Sequence, residues 1–135
     1  MEDFIKNIDM QSISQQNLAF VGDAVFNVYI RTYLISRANK NTGKLHKESI
    51  NYVSARAQSK IIDAILDKLS EKEIEIYKRG RNTNINTVSK NVDVVSYKKA
   101  TGFEALIGFL YLSNNIKRLE EIIAVSYTHL RAHET

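Results

Sequence analysis

The chain has 135 residues, 44% hydrophobic and 25% charged, with no cysteine and no proline. That length suits one domain with a single core, and the missing thiols exclude disulfides and thiolate metal centres. A net charge of +4 and a pI of about 9.3 favour anionic partners.

The first ten residues are acidic and lack a continuous apolar region, so they do not read as a signal peptide. No 18-residue apolar stretch is expected to span a membrane. A cytoplasmic protein without a membrane partner is the expectation.

Apolar residues at Leu18, Val21, Val25, Tyr29 and Tyr33 recur at helical spacing, and Phe26, Ile30 and Leu34 widen the stripe. This predicts a largely buried helix over 14–37. Residues 39–43 are polar and form a loop. From Leu45 to Leu69 a second apolar period predicts a long helix divided near its start. Ser70 and Glu73 form a capping-box pattern that opens a short helix through about residue 79. Residues 80–91 are rich in Asn, Thr and Ser and read as a loop. Helices over 94–112 and 116–124 complete an all-α domain, since no two-residue alternation is present.

The last eleven residues, 125–135, depart from the preceding amphipathic pattern. They resemble the translation of a transposon-derived sequencing adapter, so the domain is expected over 1–124 and the remainder is set aside as a foreign tail. His129 and His133 lie within that tail, four apart, a spacing that on a helix imitates a metal-binding pair.

Two acids stand alone in apolar surroundings: Asp23 between Leu18 and Ile30, and Glu104 between Gly102 and Leu112. A carboxylate among apolar neighbours loses several kcal/mol of hydration unless it is protonated, hydrogen-bonded or given a cation. Two of them suggest a shared ion. A helix cap is the competing explanation at each position. Asp23 follows Gly22, and Thr101 to Glu104 fits a capping box.

Charge is segregated along the chain. Arg37, Lys40, Lys44, Lys47, Arg56 and Lys60 face one acid, Glu48, in their stretch; Lys78, Arg79, Arg81, Lys90, Lys98 and Lys99 face one, Asp93, in theirs. Asp63, Asp67, Glu71, Glu73 and Glu75 form an acidic stretch between them. Such basic segments suit a polyphosphate partner, although a solvated charged surface has the same composition.

Phe20-Val-Gly-Asp-Ala-Val-Phe26 resembles the signature helix of the ribonuclease III family, and Phe103-Glu-Ala-Leu-Ile-Gly108 resembles that family's second catalytic helix. Lys78-Arg-Gly-Arg-Asn82, the segment from Leu45 to Ser49 and Val53-Ser-Ala55 also match in order and separation. Together they resemble the compact Mini-III subfamily over residues 13–124. Larger family members carry acids where this chain has Gln16, Ala19 and Thr101, and Mini-III enzymes share that reduction.

The resemblance implies an endoribonuclease that cuts double-stranded RNA with Asp23 and Glu104 as catalytic and metal-binding residues. It implies Mg²⁺ as cofactor, with Mn²⁺ as a substitute, and products ending in 5′ phosphate and 3′ hydroxyl. It further implies a homodimer and a precursor of large-subunit ribosomal RNA as substrate. His46, Lys47, Gln58, Arg79, Arg81, Asn82 and Lys90 are the expected RNA contacts, since an A-form duplex offers phosphates and 2′-hydroxyls to basic and amide side chains. Tyr29, Tyr33, Phe103, Phe109 and Tyr111 are the aromatic candidates for the dimer surface. A catalytically silent RNA-binding module of the same fold is the alternative. A helical DNA-binding or protein-interaction domain is a third reading, without a helix-turn-helix pattern in its favour.

Overall fold

The computed structural model describes residues 2–83 and 93–132, with the backbone alone described for 130–132. Among the described residues seven α-helices follow in order: α1 (Glu2–Lys6), α2 (Gln15–Arg37), α3 (Thr42–Val53), α4 (Ala55–Ile65), α5 (Glu71–Arg81), α6 (Val94–Leu112) and α7 (Ile116–Ala132). A 3-10 turn, Leu66–Lys68, separates α4 from α5. No strand occurs among the described residues, as the all-α expectation requires.

Side-chain caps fix where the helices begin. Ser14 accepts from Asn17 N, Asn41 from Lys44 N, Ser54 from Ala57 N and Asp93 from Val95 N. Each cap satisfies one of the amides that a helix leaves open at its start. At Ser70 the full capping box forms, with the Glu73 carboxylate accepting from Ser70 N at 2.8 Å. The division expected near the start of the second helical stretch falls further along, at Ser54. There φ of −64° and ψ of 156° interrupt the helix, and the hydroxyl caps the next one. After α6 the chain turns through Asn114 at φ 59°, left-handed backbone that asparagine tolerates better than most residues.

The core forms around α6, against which α2, α4 and α5 all pack. Phe26, Ile30, Ile61, Ile62, Phe103, Leu106, Ile107 and Leu119 are fully buried within it. Phe26 meets Phe103 edge to face, with ring centroids 5.2 Å apart. By length and a mean hydropathy of 1.3, α2 would suit a membrane span, contrary to the expectation that no such stretch exists. In the fold its buried positions, Leu18, Phe26, Ile30 and Leu34, serve the core instead.

Glycines let α6 approach its neighbours backbone to backbone. A Cβ on Gly22 would lie 1.7 Å from the Glu104 carbonyl oxygen, and one on Gly108 would lie 2.0 Å from the Leu18 carbonyl oxygen. On the other side a Cβ at Gly102 would meet the Tyr77 carbonyl oxygen at 2.6 Å.

Helix α7 runs past residue 124 without interruption. Val125 and Tyr127 are half-buried, Ser126 is buried, and the Tyr127 hydroxyl donates to the Tyr29 carbonyl at 3.0 Å while its ring stacks on Tyr33 at 4.2 Å. The packing pattern therefore continues where the sequence pattern was expected to stop. His133 lies outside the described residues.

Arg118 fastens α7 to the start of α5. Its guanidinium donates to both Glu73 oxygens, at 2.8 and 2.9 Å, and to the Lys68 carbonyl at 2.8 Å. The Arg118 hydrogen bond holds the Glu73 carboxyl below its usual value of 4.5.

Both the glycine crossing and the ion pair can be probed by unfolding. Gly22→Ala drives a methyl into backbone that has no side-chain freedom to yield, so it lowers stability by about 3 kcal/mol in urea. Because the Glu73 pKa is depressed on folding, its stabilising contribution is present above about pH 4.5 and disappears as pH falls through the folded value. The stability gap between the wild type and Glu73→Gln should therefore shrink below pH 4.5, and a gap independent of pH would contradict the ion pair's role.

Candidate active site

Asp23 lies well inside α2, which is capped at Ser14, and Glu104 lies inside α6, which is capped at Asp93. The Thr101 hydroxyl donates to the Tyr97 carbonyl at 3.0 Å as an ordinary mid-helix contact. Neither carboxylate caps a helix, so the competing explanation falls at both positions.

The glycine contact between α2 and α6 sets the two acids side by side. Gly22 rests on the Glu104 backbone, and the next residue, Asp23, hydrogen-bonds the Glu104 side chain. Asp23 is exposed and Glu104 is partly buried. One turn along α2, Asn27 Nδ2 donates to Asp23 Oδ1 at 3.2 Å and to the Asp23 carbonyl at 2.8 Å, holding that carboxylate in place. Sequence reading missed Asn27, whose i+4 spacing from Asp23 was the available signal.

Desolvation pushes the Glu104 carboxyl up to about 9; the adjoining Asp23 adds to the rise, and a hydrogen bond from Gln58 opposes it. Near neutral pH the pair is thus short of positive charge and is satisfied by a proton. A divalent cation could take that proton's place, and an all-oxygen pair of carboxylates suits a hard ion such as Mg²⁺ or Mn²⁺. Among the described residues no group of three or more His, Asp and Glu side chains gathers. An ion here would draw its other ligands from water and substrate phosphate. At the positions that the resemblance singled out, Gln16 is exposed, Ala19 is buried and Thr101 is partly buried.

The expected RNA contacts are spread over several surfaces. His46 and Lys47 are exposed on α3, and His46 borders a small cleft shared with Arg31 and Thr42. Arg79 is exposed and pairs with Glu75 at 2.7 Å. Arg81 lies over the Tyr77 ring, 5.6 Å from its centroid, and donates to Asn82 Oδ1 at 3.2 Å. Between the two arginines, Gly80 packs on Gly102 and Ala105 of α6, the helix that carries Glu104. Lys90 lies outside the described residues.

Gln58 departs from its expected place. It is 1% exposed and faces Glu104, because its position on α4 points at α6; it has no surface to offer a duplex. The basic stretch from Arg37 to Lys60 folds around a cleft of about 740 Å³ lined by Arg37, Lys40, Arg56 and Lys60, with Lys40 paired to Glu48.

Of the five aromatic candidates for a dimer surface, one is withdrawn from solvent and four are half-buried. Phe103 is fully buried, while Tyr29, Tyr33, Phe109 and Tyr111 pack against the core. Exposed apolar surface is found instead at Phe20, 80% exposed, and at Val28 and Ile35 on the same helix. Helical spacing aligns those three on one side of α2.

Comparison with known proteins bears on the family and the fold. The family model described as "Ribonuclease III domain" matches residues 16–115. The Mini-ribonuclease 3 of Streptococcus pneumoniae is 50% identical over 119 residues, covering 87% of this chain and 93% of that protein. That of Clostridium tetani is 50% identical over 124 residues, covering 90% of this chain and 81% of that protein. A crystal structure of a Fusobacterium nucleatum protein superposes with a TM-score of 0.82 at 34% identity, over 90% of this chain and 97% of that one. The chain belongs to the ribonuclease III family, in its Mini-ribonuclease 3 branch, and is an endoribonuclease.

Proposed function

We propose that Asp23 and Glu104 jointly hold a divalent cation, Mg²⁺ or in its place Mn²⁺, and that the enzyme cuts double-stranded RNA at this pair. The observation that carries the reading is the partly buried Glu104 carboxyl hydrogen-bonded to Asp23 on a neighbouring helix. Bound there, the cation supplies Lewis acidity toward the scissile phosphate and offsets charge on the leaving 3′ oxygen. The protein's own part is positioning: Asn27 fixes Asp23, Gly22 fixes the distance between the helices, and the apolar side of α6 limits water around Glu104. The products carry 5′ phosphate and 3′ hydroxyl ends.

Arg79, Arg81 and Asn82 at the end of α5, with His46 and Lys47 on α3, present the basic and amide groups that an A-form duplex accepts along its minor groove. Precursors of large-subunit ribosomal RNA are the cellular substrate in this reading, and the cytoplasm is its site. A homodimer formed across Phe20, Val28 and Ile35 would cover the largest exposed apolar positions of α2 and bring two carboxylate pairs near one interface.

Cleavage of a duplex RNA with and without Mg²⁺ tests the reading. Asp23→Asn should reduce cutting by more than about a thousandfold while the variant still binds duplex; metal-independent cutting by that variant would end it. Arg79→Ala combined with Arg81→Ala should weaken duplex binding and reduce the slope of its logarithmic salt dependence by about one for each phosphate no longer neutralised. An unchanged slope would remove those arginines from the RNA surface. In sedimentation at micromolar concentration the wild type should run as a dimer and Phe20→Glu as a monomer.

A further inference from the structure

The side of α4 turned toward α6 is apolar, with Ala57, Ile61, Ile62 and Ile65 all buried, and Gln58 interrupts it. A long amide in that setting has to be explained by its partners. Its Nε2 donates to the Val53 carbonyl at 3.0 Å. That carbonyl is open because the break at Ser54 diverts its usual helical donor: Ala57 N goes to the Ser54 hydroxyl at 3.2 Å. The same amide reaches Glu104, while Oε1 is buried with no partner among the described residues.

We propose that Gln58 is a positioning residue for the cation site: pinned on the Val53 carbonyl at the α3–α4 break, its amide holds the Glu104 carboxylate turned toward Asp23. The inference rests on the reading of Asp23 and Glu104 as the cation's ligands. A leucine or methionine at this point of α4 would fill a similar volume and remove the unpartnered Oε1, at the cost of the Val53 contact. Retaining a half-satisfied amide in a packed interior is the mark of a site where local stability yields to function. Helices α2, α4 and α6 then each contribute one part: Asp23 as a ligand, Gln58 as the brace and Glu104 as the second ligand. Hydrogen-bond partners that orient a ligand in this way commonly carry a tenfold or larger share of metal affinity.

The test is a Mn²⁺ titration followed by electron paramagnetic resonance, together with thermal unfolding in EDTA, on the wild type, Asp23→Asn, Gln58→Met and Gln58→Leu. Both Gln58 variants should bind Mn²⁺ about tenfold more weakly, with only a small fall in unfolding temperature in EDTA from the lost Val53 contact. Wild-type Mn²⁺ affinity in the Gln58 variants, with Asp23→Asn still weakened, overturns the role given to Gln58 and leaves the carboxylate pair standing. A wild type that binds no more tightly than Asp23→Asn overturns the cation reading and this inference with it. A clear fall in unfolding temperature in both Gln58 variants with Mn²⁺ affinity unchanged would make the amide a buttress of the α3–α4 break alone, and would equally overturn the proposal.

Discussion

The direct contact of α2 with α6 is the constraint from which the site follows. Gly22 and Gly108 allow two helices to touch through their backbones, and the residue beside Gly22 is then carried to the side chain of Glu104. With side chains at either position the axes would separate toward the spacing usual for packed helices, and the two carboxylates would part. Phe26 against Phe103, on the same interface, supplies the apolar burial that holds the crossing closed. Packing and chemistry are thus set by one contact.

That contact also explains the electrostatics. Helices this close exclude water from around Glu104, so its charge is costly and its affinity for a proton or a cation is high. Asp23 remains exposed on the rim. An ion could arrive with much of its hydration and meet one carboxylate open to solvent and one partly withdrawn. The Arg118–Glu73 pair shows the other outcome for a buried acid. There a guanidinium is already present, the carboxyl is held low, and the result is a brace between α5 and α7.

Much of this was legible from local patterning. The apolar period from Leu18 to Leu34 gave α2, Ser70 with Glu73 gave the start of α5, and the isolation of Asp23 and Glu104 in apolar runs marked the pair. What escaped depended on contacts distant in sequence or on a single backbone angle. The break at Ser54 is a ψ of 156° within a stretch whose apolar period barely falters. Gln58 reads as an RNA contact on a basic stretch until α6 is set against it. Tyr29 and Tyr33 looked like spare aromatic surface, yet α7 extends far enough for Tyr127 to stack on one and bond to the other's carbonyl. Phe20 was read only as the first residue of the family-like motif, though it lies exposed on a different side of α2 from buried Phe26.

The central claim is that two acids on different helices share one cation. Anomalous diffraction from crystals soaked in Mn²⁺ tests it most directly. The account predicts a Mn²⁺ peak bridging the carboxylates of Asp23 and Glu104; a peak that avoids both, or a Glu104 side chain that stays turned away from a bound ion, would contradict it.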